Sequence, residues 1–294
     1  MQFGWMVRAL SLAAASTIFL GLSACGGGGG GGGGGGIPFV PPVTAPPTGA
    51  PVAPPTTTSR VVADTIVSTR TGAAYSLEIY LPASYDGSSA SYPVIYALDG
   101  DAVFNPPGNR FANLKDILDQ RNTQAILVGI GGTARRTTDY VLPGAVPYHD
   151  FLTSELVPFI EAKYRSDTKK RMLTGLSLSG SMTGIALFLE GAKNNLTFSY
   201  FLSFEGTYDG QGTRYQDLEQ AMHDGLAGNP LPATLFLTRC ATVSSCNFNP
   251  VDGMYQRLLA RGYPGFTVTE TTYSTTHGKT DIPSFTDAIA KILP

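Results

Sequence analysis

From Tyr92 to the C-terminus the chain alternates short apolar runs with longer amphipathic ones, and that alternation limits the fold more than any other feature. The runs at 92–98 (YPVIYAL) and 123–131 (TQAILVGIG) are nearly continuous in apolar residues, the pattern of strands buried on both faces. Further strands are predicted at 171–175, 198–204, 233–239 and 266–273, and helical periodicity at 112–120, 150–164, 181–190, 215–226, 251–260 and 284–292. Parallel strands need long crossovers, which these amphipathic stretches supply. Runs at 60–68 and 73–81 read as an antiparallel pair that opens the sheet. The expected architecture is a mostly parallel, doubly wound α/β sheet with helices on both faces, and no interval between strands is long enough for a large lid domain.

The first sixty residues or so obey a different rule. Arg8 precedes an apolar run that ends in Leu22-Ser23-Ala24-Cys25, too short for a comfortable membrane span of ~20 residues. This is the form of an export signal, and its last four residues resemble the bacterial lipobox, in which cleavage before the cysteine is followed by lipid attachment to it. Residues 1–24 are therefore expected to be a lipoprotein signal peptide. Residues 25–59, lipidated Cys25 followed by the Gly26 to Gly36 run and a Pro/Thr/Ala segment, are expected to be a tether, and residues 60–294 the globular domain. The glycine run lacks the preceding strand and following lysine of a phosphate-cradling loop. Such a protein is exported and held by its lipid on the bacterial cell envelope, at the periplasm or the cell surface.

Charge and cysteines narrow the partners. Twenty basic residues against 22 acidic ones form no basic stripe, so nucleic acid is not expected as a partner. With Cys25 set aside, Cys240 and Cys246 remain as an even pair in a chain bound for an oxidising compartment, and a local disulfide is expected. Two cysteines without a nearby histidine supply only half a zinc site, so no metal is expected, and no organic cofactor either.

The chemistry is concentrated where the strand at 171–175 runs into Gly175-Leu176-Ser177-Leu178-Ser179-Gly180 and then a helix. Strand, sharp turn and helix around a central serine are the context of a nucleophile elbow, which makes Ser177 the nucleophile. Serine occupies position 179, where glycine is usual. A serine hydroxyl needs a base, and the chain has three histidines. His149 precedes the helix predicted from Asp150 and His223 lies within a predicted helix, so both read as capping or surface residues. His277 follows the last strand, at the sheet edge where such folds gather their ligands, and is taken as the general base. The orienting acid should fall between serine and histidine in sequence. Asp252 leads, with Glu205 and Asp209 as alternatives and a serine–histidine dyad as a further one. The main-chain amides of Leu178 and Asp101 are the expected oxyanion donors.

Several blocks in order, YPVIYALDGD, VGIGGTARRTTDY, FLTSELVPFIEAKYRSD, GLSLSG and HGKTDIPSF, together resemble the esterase D-like branch of the α/β-hydrolases. That branch includes siderophore esterases, feruloyl esterases and mycolyltransferases. The resemblance covers most of residues 92 to 290. It implies an α/β-hydrolase fold, serine nucleophile Ser177, base His277, an oxyanion donor beside Asp99-Gly100, and a small-molecule ester substrate. It also implies that the block carrying Arg135, Arg136 and Asp139 lies near the substrate, so Arg135 and Arg136 are expected to attract an acidic or catecholate-bearing ester. Acyl transfer within the same fold, and a binding lipoprotein built on an inactive hydrolase scaffold, are the rival readings.

Overall fold

The computed structural model describes residues 58–294, so the expected signal peptide, Cys25 and nearly all of the tether lie outside the described residues. In chain order the elements are β1 (Arg60–Val67), β2 (Ala74–Leu81), β3 (Tyr92–Ala97), α1 (Arg110–Gln120), β4 (Ile126–Ile130), α2 (Arg136–Asp139), α3 (Ala145–Phe151), α4 (Val157–Lys163), β5 (Ser166–Leu176) and α5 (Leu178–Ala192). They continue with β6 (Tyr200–Phe204), α6 (Arg214–Leu226), β7 (Thr234–Cys240), α7 (Phe248–Arg261), β8 (Thr267–Tyr273) and α8 (Asp281–Ile292). The strands form one sheet in the order β1-β2-β4-β3-β5-β6-β7-β8. β1 pairs with β2, and β2 with β4, antiparallel; every other pair is parallel.

The two-residue period of a strand divides the core. Val94 and Tyr96 of β3 join Val128, Leu173 and Leu235 on one face, under Phe151, Ile160, Ile185, Met222 and Leu258 of α3 to α7. Ile95 and Ala97 face the other way, toward Phe111 and Leu114 of α1 and Phe285 and Ile289 of α8. Each buried Leu, Ile or Phe stabilises the fold by about 1.5–3 kcal/mol relative to exposure. α1 starts where it does because Asn109 Oδ1 accepts the Ala112 amide at 2.8 Å.

The predicted helix at 150–164 is broken in the structure. Helix begins earlier, at Ala145, and passes through a π-helical turn, Leu152–Leu156, before α4. Pro158 has no N–H to donate to the Ser154 carbonyl, so the regular i→i−4 ladder cannot continue through it. The hydroxyls of Thr153 and Ser154 bond back to the carbonyls of His149 and Asp150 across the same stretch.

After β3 the chain goes first to β4 on one side and then to β5 on the other. The crevice outside the carboxyl ends of β3 and β5 is the topological switch point, where open α/β sheets place ligands.

Candidate active site

Three non-glycine residues with left-handed backbone follow the carboxyl ends of three neighbouring strands: Asp99 (φ 54°) after β3, Ser177 (φ 63°) after β5 and Glu205 (φ 49°) after β6. Such conformations cost on the order of 1–3 kcal/mol each and persist only where the surroundings impose them. The Ser177 amide donates to the Phe204 carbonyl at 2.9 Å, which ties the serine turn directly to the residue before Glu205.

The turn itself depends on close approach. A side chain at Gly175 would meet the Ser179 carbonyl oxygen at 2.1 Å. Ser179 is fully buried, and its hydroxyl accepts the Leu176 amide and donates to the Leu176 carbonyl, both at 2.9 Å. The serine in the usual glycine position therefore pins the turn and has no freedom to act elsewhere. Ser177 is half-buried, and its hydroxyl has no hydrogen-bond partner among the described residues. Leu178 opens α5, so its amide has no intrahelical acceptor.

His277 lies between β8 and α8, its Nδ1 2.8 Å from Glu205 Oε2. Its loop is held from three sides. Thr275 Oγ1 meets Thr280 Oγ1 at 2.7 Å, and Asn105 Nδ2 donates to the Gly278 carbonyl at 3.0 Å. Asp281, at the start of α8, forms a buried ion pair with Arg110 at 2.9 Å. Arg110 also donates to the carbonyls of Leu98 and Thr174, so the helix after His277 is fastened to the ends of β3 and β5. Removing one partner of such a buried pair costs about 3–5 kcal/mol.

Glu205 is completely buried at the end of β6. Its Oε1 accepts the Cys240 amide, its Oε2 accepts the Asn247 amide at 3.0 Å, and its own carbonyl accepts Asn247 Nδ2 at 2.6 Å. Cys240 and Cys246 are disulfide-bonded, with their Cα atoms 5.6 Å apart.

The expectation for Asp252 is corrected by this arrangement. Asp252 sits within α7, 43% exposed, and its carboxylate pairs with Arg239 Nη1 at 3.1 Å. Arg239 also holds Glu270 at 2.9 Å and stacks on the Phe248 ring. The loop between β7 and α7 brings Asn247, the residue before the helix, to the acid, and carries Asp252 away on the helix. Asp209 is exposed. Of the acids weighed from sequence, Glu205 is the one beside His277.

The two arginines are also placed differently from the expectation of free rim cations. Arg136 Nη2 is 3.0 Å from Asp99 Oδ2, and its guanidinium lies over the Phe104 ring. Arg135 forms an ion pair with Asp139 at 2.9 Å, and Tyr75 Oη donates to the same carboxylate at 2.9 Å. Both positive charges are matched by carboxylates of the fold. Burial pushes the Asp99 carboxyl above its ordinary value, and the Arg136 guanidinium opposes it. Beside it, Asp101 turns its carboxylate to the Thr133 hydroxyl and to the amides of Gly132 and Thr133, which outweigh its burial and hold it below the ordinary value. His149, expected at the surface, is buried with Nε2 3.1 Å from Glu190 Oε1, because the helix starts before it rather than after it. His223 is half-exposed beside Asp224.

Comparison with known proteins fits this geometry. The family described as "Putative esterase" matches residues 68–208. The uncharacterized protein YbbA of Bacillus subtilis (strain 168) is 27% identical over 149 residues, 44% of this chain and 56% of its own, so the match spans little more than half of that curated relative. The crystal structure of an IroE-like serine hydrolase from Shewanella oneidensis superposes with a TM-score of 0.69 at 22% identity, covering 80% of each chain. Siderophore hydrolase EstA from Aspergillus nidulans gives 0.66 at 19% identity, over 83% of this chain and 97% of its own. The family match runs from the residue after β1 through the elbow and past Glu205, so residues 68–208 are similar to that esterase family, and the described residues share the α/β-hydrolase fold of the structures they superpose on.

Proposed function

We propose that the protein is a serine-type carboxylic ester hydrolase acting outside the cytoplasm through an acyl-enzyme. The contact of His277 Nδ1 with buried Glu205 Oε2 at 2.8 Å, one strand from the strained turn that carries Ser177, carries the proposal. A buried carboxylate at Nδ1 selects the tautomer with the proton on that nitrogen and leaves Nε2 free to accept one. In the reaction Ser177 Oγ attacks the ester carbonyl carbon while His277 Nε2 takes its proton. The amides of Leu178 and Asp101 hold the oxyanion, and Glu205 stabilises the imidazolium without taking the proton itself. Return of the proton to the leaving alcohol gives the acyl-enzyme. His277 Nε2 then takes a proton from a water that attacks the acyl carbonyl carbon, and gives it to Ser177 Oγ as the bond from that oxygen to the acyl carbon breaks and the acid leaves. Catalytic hydrogen bonds of this kind commonly tighten only around substrate.

The substrate class proposed is a siderophore-type or related acyl ester, with the siderophore hydrolase among the structural relatives as its support. Export rests on the Leu22 to Cys25 signal, and a disulfide of the kind formed in oxidising compartments agrees with it. Turnover of aryl, feruloyl and siderophore-lactone esters by wild type and by Ser177→Ala tests the activity. Hydrolysis by wild type that is lost in the variant is expected. Equal rates in both contradict the proposal. Release of the Cys25→Ser variant from membranes tests the anchor, and a wild-type protein that fractionates as soluble with a free Cys25 thiol contradicts it.

A further inference from the structure

The carboxylate beside His277 receives its two main-chain hydrogen bonds from residues at the two ends of one small covalent ring. Cys240, which donates to Oε1, is itself half of the disulfide, and Asn247, which donates to Oε2, directly follows the other half, Cys246. Residues 241 to 245 between them are all exposed, so no packed side chain holds this loop in place. Cys240 Sγ lies 3.6 Å from Glu205 Oε2, the oxygen that also faces His277. We propose that the Cys240–Cys246 disulfide and Asn247 are a positioning device for the Glu205 carboxylate, coupling the covalent state of the loop to the rate of the ester reaction. The proposal rests on the reading of Glu205 as the acid of the triad.

The physical argument is one of shared oxygens. Cys240 is fixed by its place in β7, whereas Asn247 stands outside the sheet, before the first turn of α7. With the disulfide closed, the Asn247 amide stays within hydrogen-bond reach of Oε2, and its side chain grips the Glu205 carbonyl. Opening the ring frees residues 242 to 246, and the hold on Oε2 then rests on the Asn247 side chain and on the start of α7, where the Phe248 carbonyl accepts Arg239 Nη1. It also places a thiol hydrogen near Oε2, where it competes with His277 Nδ1. Both effects loosen the imidazole and leave the crevice outside the carboxyl ends of β3 and β5 as it is, so they act on turnover and leave KM in place.

Reduction by a dithiol provides the test. The reagent gives two electrons and two protons to the disulfide, yielding two thiols, and is itself oxidised to its cyclic disulfide. In the full-length protein, complete reduction, verified by mass, is expected to lower kcat by about tenfold with KM within about twofold, and reoxidation is expected to restore it. The Cys240→Ala/Cys246→Ala variant is expected to show the lowered rate and no response to reductant. In a Glu205→Gln background the same reduction is expected to change the residual rate by less than about twofold, because the group being positioned is gone. A merely structural disulfide would lower both backgrounds alike. If reduction unfolds the chain, Asn247→Ala, which keeps the disulfide, is expected to lower kcat by about threefold at constant KM. Unchanged kcat in folded, fully reduced protein, or in Asn247→Ala where reduction unfolds the chain, overturns the proposal while leaving the esterase reading intact. A Glu205→Gln variant as active as wild type overturns the reading of the acid, and this proposal with it.

Discussion

Glu205→Gln preserves shape while removing one acceptor, and the consequence can be worked from the hydrogen bonds. Oε1 serves the Cys240 amide, and Oε2 serves the Asn247 amide and His277 Nδ1. A glutamine has one oxygen for these three donors. With that oxygen toward His277, its NH2 group confronts the Cys240 amide, and a buried donor left unpaired costs about 1–3 kcal/mol of stability. Flipped, the NH2 group donates to Nδ1 and forces the proton onto Nε2, so the imidazole can no longer take the proton of Ser177. A wrong tautomer at such a site lowers turnover by about 10,000-fold. The first orientation keeps the tautomer but loses the negative charge beside the imidazolium. Turnover is therefore expected to fall by about 100- to 10,000-fold, or about 2.7–5.4 kcal/mol in barrier. Asp252→Asn, at a partly exposed ion pair with Arg239, is expected to stay within about twofold. The assay is kcat and KM for an aryl ester, with thermal melting to show that each variant is folded. A folded Glu205→Gln protein keeping more than about a tenth of wild-type kcat, or an Asp252→Asn protein whose kcat falls by more than about tenfold, would refute the assignment.

Ser177→Ala and His277→Ala are each expected to remove nearly all esterase activity, and the double variant to be hardly worse than either, since nucleophile and base act as one unit; steady-state rates of the three variants check this. Ser179→Gly leaves the Leu176 amide without the hydroxyl it donates to, so denaturant unfolding should show a loss of about 1–3 kcal/mol, with activity within about tenfold of wild type. Glu219 is buried, yet hydrogen bonds from Arg261, Tyr263 and Arg257 outweigh that burial and hold its carboxyl below the ordinary value. Its folded form binds fewer protons than the unfolded one, so its contribution is present above the ordinary glutamate range and is lost as pH falls through the lowered value. Denaturant unfolding between about pH 5 and 3 should therefore show a shallower slope in Glu219→Gln than in wild type, by at most about 1.4 kcal/mol per pH unit.

Much of the fold was legible because strand burial and crossover length are local signals. All eight strands fall within a few residues of the runs that announce them, apart from β5, which extends back to Ser166 through charged Asp167, Lys169 and Lys170. Apolar periodicity cannot see that exposed first half. Nor does it show the π turn before Pro158, which comes from a missing donor rather than from side-chain pattern. At the site, the strand-to-helix turn around Ser177 was readable from its glycine and its neighbours. The choice of acid was not, because Asp252 and Glu205 both lie between the serine and the histidine in sequence. What separates them is adjacency: β6 lies beside β5, so its last turn faces the elbow, while Asp252 is carried onto α7. The signal that favoured His277, a polar residue in the loop after a parallel strand, applied equally to Glu205, which directly follows β6. The left-handed backbone of Asp99, Ser177 and Glu205 left no mark in composition, since none of them is glycine. The pairing of Arg136 with Asp99 joins the start of α2 to the loop after β3, 37 residues away, and needs the sheet order to be seen.

The central claim is that Ser177 is an activated nucleophile, and covalent labelling with a fluorophosphonate followed by peptide mapping tests it most directly. A fluorophosphonate loses fluoride to an activated serine and leaves a stable phosphonyl ester on its oxygen. The account predicts one adduct per chain on the peptide containing Ser177, absent in Ser177→Ala, and retained in Ser179→Ala because the Ser179 hydroxyl is committed to Leu176. Label on Ser179, or no label on a folded preparation that hydrolyses esters, would contradict it.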